Sequence, residues 1–317
     1  MKRYLKYLLH AVIIIGLVVA ATKYLNGEEI LRALKTFRYV YAPVILLLST
    51  AYIVSKAWRF AILMRPLSNL PWNIFMRGYL AGTAATLLPG GVTARAGLMK
   101  QAGVPLSTSG APVAFSSILD TAAFVSGLIF AALWFDAARL PVLIVMVALA
   151  VFGLIMFVPA TRDWLSRVAE WVAGKFHVLE GWRNLLKSTR EVLTLDIMLK
   201  GLAISLVGVI LQVIMLDLSL RGLGHTAPLS VLFLAYILPT LLGRNSALPA
   251  GLGLTEAGMV GFLSSLAEID VDAAAAVAAI FRVSTVFFQA LLGVLVYFLA
   301  WKGENESVRS TSTGKQV

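Results

Sequence analysis

The chain has 317 residues, of which 59% are hydrophobic and 14% charged, with a mean hydropathy of +0.86. A soluble domain of this size cannot bury so much apolar surface in one core, so the composition argues against a soluble helical protein. The formal net charge of +11 fits cytoplasmic loops that face anionic lipids better than it fits a nucleic-acid partner. We therefore predict an all-α, polytopic membrane protein.

The first two apolar runs both carry basic residues. Residues 7–25 follow a basic start and predict an uncleaved first span, with a signal peptide cleaved after Val19–Ala21 as the alternative. Residues 26–38 place their apolar side chains on one face, as in a short interfacial helix. The second span, 40–63, carries Lys56 and Arg59 near its end. We expect these two side chains to snorkel to lipid headgroups, with a role in headgroup entry as the alternative.

The middle of the chain alternates between spans and interruptions. The stretch 74–92 is apolar but broken by glycines and a Pro-Gly-Gly sequence, and two full spans are predicted at 111–135 and 141–158. In residues 161–198, charges of both signs alternate with Trp and Phe, which predicts cytoplasmic helices at the interface.

A full span at 199–220 is followed by two short apolar pieces, 229–242 and 252–266, and a last span at 271–301. The polar residues 303–317 predict a disordered tail after a membrane domain of residues 1–302. By the positive-inside rule, about six helices cross the cytoplasmic membrane, two interrupted segments enter without crossing, and both termini are cytoplasmic.

The two interrupted segments resemble each other. Leu88–Val92 aligns with Leu248–Leu252, within repeat units 73–135 and 228–301. Three predicted crossings lie between the copies, so the second copy would be inverted, as in many transporters. A chance match between Leu- and Gly-rich segments is the alternative. The residues predicted to interrupt the helices are Pro89, Gly90, Gly91, Pro249, Gly251 and Gly253.

Charged residues within apolar segments are costly unless they are paired or hydrated. The spacing suggests the pairs Arg95–Asp120 and Glu256–Arg282, which would either lock helices together or bind substrate. Arg244 has no obvious dedicated partner beyond Glu256, and a guanidinium with free donors suits a phosphate. The predicted substrate-binding residues are Arg95, Asp120, Arg244, Asn245, Glu256 and Arg282, and the candidate proton carriers are Glu256 and Asp217.

Signatures of enzymes are missing from the sequence. Without cysteine there are no disulfides or thiolate sites, and the three histidines are too scattered for a metal cluster. No phosphate-binding loop, nucleophile elbow or zinc-protease motif is found. We therefore expect no catalytic residues, no metal and no cofactor.

The stretch Leu248–Glu256, the Ala-rich residues 273–279 and Arg282 together resemble the signature of the flippase-like transmembrane region of lysylphosphatidylglycerol synthases. The segment from Leu88 to Arg95, with Asp120 and the Trp58-Arg59 end of the second span, resembles other parts of that family. Two positions depart from its pattern. Residues 92–95 keep the Arg but lack the family's acidic residue, and Ser116-Ser117 replaces an acidic-basic pair.

The resemblance implies the translocating half of those proteins, without the aminoacyl-transferase domain that follows it in bifunctional members. We therefore predict a flippase for a phospholipid or lipid-linked anionic headgroup, with membrane lipids as its partners. An enzyme acting on lipid-linked substrates and a non-transporting membrane subunit are the alternatives.

Overall fold

The computed structural model describes residues 35–87, 93–134, 136, 139–140, 142–144, 146–147, 191, 194–246 and 248–301. Helices within these ranges are numbered in chain order. They are α1 (Ala42–Met64), α2 (Trp72–Gly82), α3 (Ala94–Gln101), α4 (Leu106–Trp134), α5 (Leu195–Gly222), α6 (Leu229–Asn245), α7 (Leu254–Leu266), α8 (Val271–Arg282) and α9 (Phe288–Val296). Short 3-10 segments lie at Tyr39–Tyr41, Thr83–Leu87 and Pro249–Gly251, and π-helical turns at Val283–Phe287 and Tyr297–Trp301.

Four continuous helical stretches in the described ranges are long and apolar enough to span a membrane. They have 26 to 31 residues, and 26 residues of helix measure about 39 Å, more than the roughly 30 Å of a hydrocarbon core. The predicted spans at 40–63, 111–135, 199–220 and 271–301 are thus confirmed. The four stretches are Tyr39–Met64, Leu106–Trp134, Leu195–Gly222 and Val271–Trp301.

Several predicted segments lie wholly or mostly outside the described residues. They are the spans at 7–25 and 141–158, the interfacial segments 26–38 and 161–198, the break at Pro89–Gly91 and the tail 303–317.

Local signals in the sequence account for where several helices begin. Pro43 lies in the first turn of α1, where its missing N–H has no cost. The Thr194 hydroxyl accepts a hydrogen bond from the Ile197 N–H at the start of α5, at 3.4 Å. The Asp270 carboxylate accepts one from the Asp272 N–H at the start of α8, at 3.1 Å. Such caps satisfy N–H groups that have no partner inside the helix.

Charged side chains are buried while large apolar side chains face outward. Arg59 is 1% exposed and Lys56 is 5% exposed, whereas Leu133 is 66% and Leu299 81% exposed. In water this distribution would be unfavourable, but lipid solvates the apolar exterior and the charges pair inside. Together with the four long apolar helices, it identifies the chain as a polytopic α-helical membrane protein.

The helix interruption predicted in the second repeat is present between α6 and α7. Ala250, Gly251 and Gly253 have φ angles of 51°, 66° and 84°, a left-handed conformation that ends one helix and redirects the chain. At Gly251 a Cβ would lie 2.8 Å from the Cα of Gly243, so glycine is required for this close backbone approach. As a result, α6 and α7 pack against each other as a hairpin.

Helices α1 and α5 pack against each other in opposite directions. The Arg38 N–H donates to the Gly222 carbonyl at 2.8 Å, at the beginning of one and the end of the other. Farther along, Arg59 of α1 donates to the Ser205 hydroxyl of α5. The two contacts show that α1 and α5 run antiparallel. These helices precede the first and second repeat units respectively.

The long helix of each repeat packs on the first short helix of the other. In one contact, Phe124 and Phe130 of α4 lie 5.8 and 5.1 Å from Tyr236 and Phe233 of α6, measured between ring centroids. In the reciprocal contact, the last span packs on α2 and the 3-10 segment after it. The Thr83 hydroxyl there donates to the Gln289 carbonyl at 3.1 Å.

This exchange agrees with the predicted inverted repeat, as does the antiparallel packing of α1 and α5, the helices that precede the two repeat units. The 3-10 segment Thr83–Leu87 of the first repeat also lies beside Pro249–Gly251, the interruption of the second repeat. Residues of both repeats can therefore contribute to one site.

Candidate functional site

The central charged group, here called the Asp120 cluster, consists of Lys56, Arg59, Asp120, Ser205 and Arg244. Asp120 lies midway along α4 and is 8% exposed. Its Oδ1 accepts hydrogen bonds from both Lys56 Nζ and Arg59 Nη1 of α1. Arg59 Nη1 also donates to the Ser205 hydroxyl of α5, so three helices converge on one carboxylate.

The prediction that Lys56 and Arg59 snorkel to headgroups is wrong. Both side chains are buried, and both point from α1 toward α4. The reason is that Lys56 and Arg59 lie on the face of α1 that packs against α4 and α5, so they face protein rather than headgroups. Pairing with Asp120 offsets the desolvation of their charges.

Arg244 completes the Asp120 cluster from a different direction. It lies in the last turn of α6, and its Nη2 is 3.3 Å from Asp120 Oδ2. Its guanidinium also lies 5.6 Å from the centroid of the Phe124 ring. Unlike the two cations of α1, its side chain is 40% exposed. The prediction that Arg244 lacks a partner other than Glu256 is therefore wrong, because its carboxylate partner is Asp120.

The expected Glu256–Arg282 pair is present. Arg282 Nε donates to Glu256 Oε1 at 2.5 Å, and Arg282 Nη2 donates to the Ala250 carbonyl at 2.7 Å. The other carboxylate oxygen of Glu256 accepts the Gly253 N–H at 2.6 Å. The pair thus ties the last span to the helix interruption and to the start of α7. Proton transfer by Glu256 stays a prediction.

The expected Arg95–Asp120 pair is not formed. The Arg95 guanidinium instead lies 4.0 Å from the centroid of the Tyr79 ring, a cation–π contact between α3 and α2. The buried Arg95 Nε has no hydrogen-bond partner among the described residues. Asp120 instead forms ion pairs with basic side chains of α1 and α6, two helices that pack against α4. The spacing of charges along the chain did not indicate these pairs.

Asp217 does not join the central charges. It forms an i,i+4 ion pair with Arg221 at 2.7 Å, and the two side chains are 22% and 51% exposed. Asp217 lies 12 positions beyond Ser205, which corresponds to about 18 Å along α5. Asn245, the last of the predicted binding residues, ends α6 next to Arg244.

Sequence reasoning missed a second polar group, which lies between α1 and the last span. Gln289 Nε2 donates to the Ser49 hydroxyl at 3.0 Å, and that hydroxyl donates to the Ser284 carbonyl at 2.6 Å. Ser284 lies in a π-helical turn directly after Arg282. The spacing of Ser49, Lys56 and Arg59 on one helical face of α1 was the available signal, since it marks a polar stripe that faces protein.

The charges of the Asp120 cluster do not balance. Lys56, Arg59 and Arg244 supply three positive formal charges against one negative charge, which leaves two positive charges. The Glu256–Arg282 pair adds none. Excess positive charge inside a membrane protein is favourable only where an anion or water can approach. No group of three or more acidic or histidine side chains suited to a metal ion occurs in the described part of the chain.

Comparison with known proteins agrees with this architecture. The family described as lysylphosphatidylglycerol synthase TM region matches residues 7–293. A UPF0104 membrane protein of Methanothermobacter thermautotrophicus is 30% identical over 180 residues, which is 51% of this chain and 53% of that protein. The chain therefore matches about half the length of this curated relative. With a family match that covers most of its length, the chain belongs to the lysylphosphatidylglycerol synthase transmembrane-region family.

Proposed function

We propose that this protein is a translocase that moves a lipid with an anionic, phosphate-bearing headgroup between the two leaflets of the cytoplasmic membrane. The observation that carries the proposal is that three basic side chains share one carboxylate in the Asp120 cluster, combined with the 40% exposure of the Arg244 side chain. A buried cluster of this kind is unfavourable without an anion, and Arg244 is the cation in it that a ligand can reach.

The chemistry of Arg244 suits a phosphate. A guanidinium presents parallel N–H donors that match two phosphate oxygens. Its contact with Asp120 uses Nη2 at 3.3 Å, which is long for a charge-assisted bond. Within the described part of the chain, a phosphate that approaches from the exposed side would therefore find donors that make only this long contact.

The two repeats supply a route for alternating access. The site lies where α1, α4, α5 and α6 meet, and the long helix of each repeat packs on the other repeat. Rocking of one repeat against the other would open the site first to one leaflet and then to the other. The lipid is moved without chemical change, so the protein would not be an enzyme.

Leaflet exchange of fluorescent lipids in proteoliposomes tests this function. Purified protein would be reconstituted with fluorescent phosphatidylglycerol or fluorescent phosphatidylcholine, and exchange would be followed by chemical quenching of the outer leaflet. We expect faster exchange of phosphatidylglycerol than in protein-free liposomes, and a smaller effect for the zwitterionic lipid. If the protein accelerates neither lipid, the proposed function is wrong.

The proposed orientation has both termini in the cytoplasm. The chain contains no cysteine, so single cysteines can be introduced at Lys2, Thr226 and Ser312. In intact cells, a membrane-impermeant maleimide should label Thr226→Cys only, because residues 223–228 follow a span that leaves the cytoplasm. Labelling of Lys2→Cys or Ser312→Cys without permeabilisation would contradict the orientation.

A further inference from the structure

We propose that Asp120 is a built-in competitor of the transported headgroup, which keeps the site from retaining its anionic ligand. This inference rests on the proposed function and states that Asp120 promotes release of the headgroup. A site that moves its ligand must bind it strongly enough for entry and weakly enough for exit. A cluster with three cations and no carboxylate would meet the first requirement and fail the second.

The two oxygens of Asp120 have different surroundings. Oδ1 accepts hydrogen bonds from both Lys56 and Arg59. Among the described residues, Oδ2 has only long contacts, with Arg59 Nη2 at 3.4 Å and Arg244 Nη2 at 3.3 Å. One half of the carboxylate therefore holds the buried cations of α1, and the other half faces the cation that a ligand can reach.

Burial separates a fixed part of the Asp120 cluster from an exchangeable part. The side chains of Lys56 and Arg59 are 6% and 1% exposed, whereas that of Arg244 is 40% exposed. Breaking the contacts at Oδ1 would leave buried charges without a partner, which is strongly unfavourable. The Oδ2–Arg244 contact is the one that can be exchanged for a phosphate oxygen at small cost.

A change of the hydrogen-bond partner of Arg244, between Asp120 Oδ2 and a phosphate oxygen, accounts for both binding and release. When a phosphate approaches, Arg244 moves its donors from Asp120 Oδ2 to a phosphate oxygen, and Asp120 stays bound to the cations of α1. When the repeats rock, Asp120 Oδ2 recovers Arg244 and the headgroup leaves. The carboxylate also repels the phosphate directly, which weakens binding further.

The test compares lipid binding by two variants that share one background. Lys56→Met removes one buried cation and keeps Asp120, and Lys56→Met with Asp120→Asn also removes the competing carboxylate. The double variant avoids the large charge imbalance that Asp120→Asn alone would create in the core. Binding of fluorescent phosphatidylglycerol to each purified variant in detergent micelles would be measured by titration. Leaflet exchange of the same lipid would be measured in proteoliposomes.

We expect the double variant to bind the lipid at least about tenfold more tightly than Lys56→Met, the scale of one partly screened charge interaction. We also expect it to exchange the lipid between leaflets more slowly. A purely structural role for Asp120 would lower binding and exchange together. Equal or weaker binding by the double variant would overturn the inference while leaving the proposed function intact, whereas absence of exchange in the unmodified protein would refute the function itself.

Discussion

Replacing Glu256 by Gln would remove the negative charge that faces Arg282 while keeping the size of the side chain. Arg282 Nε would lose a charge-assisted hydrogen bond of 2.5 Å and keep its bond to the Ala250 carbonyl. Removing one partner of a buried ion pair costs about 3–5 kcal/mol. Here the Arg282 and Glu256 side chains are 11% and 25% exposed, so we expect a cost below that of a fully buried pair, about 2–3 kcal/mol.

The assay is reversible unfolding in mixed micelles by titration with sodium dodecyl sulfate, followed by circular dichroism. Glu256→Gln, Arg282→Gln and the double variant form a cycle, in which we expect a coupling energy of about 2 kcal/mol. Asp196→Asn is the matched control, because Asp196 pairs with Lys200 at 2.8 Å but both side chains are more than half exposed. This exposed pair should contribute less than about 1 kcal/mol.

Glu256→Gln could instead destabilise the protein no more than Asp196→Asn, or the cycle could show additive effects. Either result would mean that the contact between α7 and the last span does not stabilise the helix interruption at Pro249–Gly251.

Two further changes test contacts of the last span with other helices by the same unfolding assay. Gly293→Ala would place a Cβ 2.5 Å from the Ala84 nitrogen and 2.8 Å from the Leu80 carbonyl oxygen. It should cost about 1–3 kcal/mol because backbone atoms must move. Gly261→Ala meets nothing within 4 Å and should be neutral or stabilising. Ser49→Ala removes the hydroxyl between Gln289 and Ser284 and should cost about 1–3 kcal/mol. Ser126→Ala, which loses only a bond within its own helix, should change stability by less than about 0.5 kcal/mol. Equal effects within either pair would contradict the packing described here.

The spans and the second interruption could be predicted from the sequence because they depend on local properties. Apolar length marks the span at 271–301, and Pro and Gly mark the interruption at 249–253. The Glu256–Arg282 contact followed from the idea that charges within a membrane must pair.

The partners of Asp120 were not predictable in the same way. The spacing between Arg95 and Asp120 resembles that between Glu256 and Arg282, yet only the second pair forms. Asp120 is instead held by residues 61 to 124 positions away in the sequence. Such contacts depend on which helices are neighbours, and the position of a charge along one segment does not determine this.

The proposed transport requires that the accessible, positively charged Arg244 binds a phosphate-bearing headgroup. Leaflet exchange of fluorescent phosphatidylglycerol would be compared between Arg244→Gln and Arg221→Gln, an exposed Arg that is paired with Asp217. Arg244→Gln would lose a charge-assisted hydrogen bond to the phosphate, so we expect it to slow exchange at least about tenfold. We expect Arg221→Gln to leave the rate unchanged. Equal exchange rates in these two variants would contradict the claim.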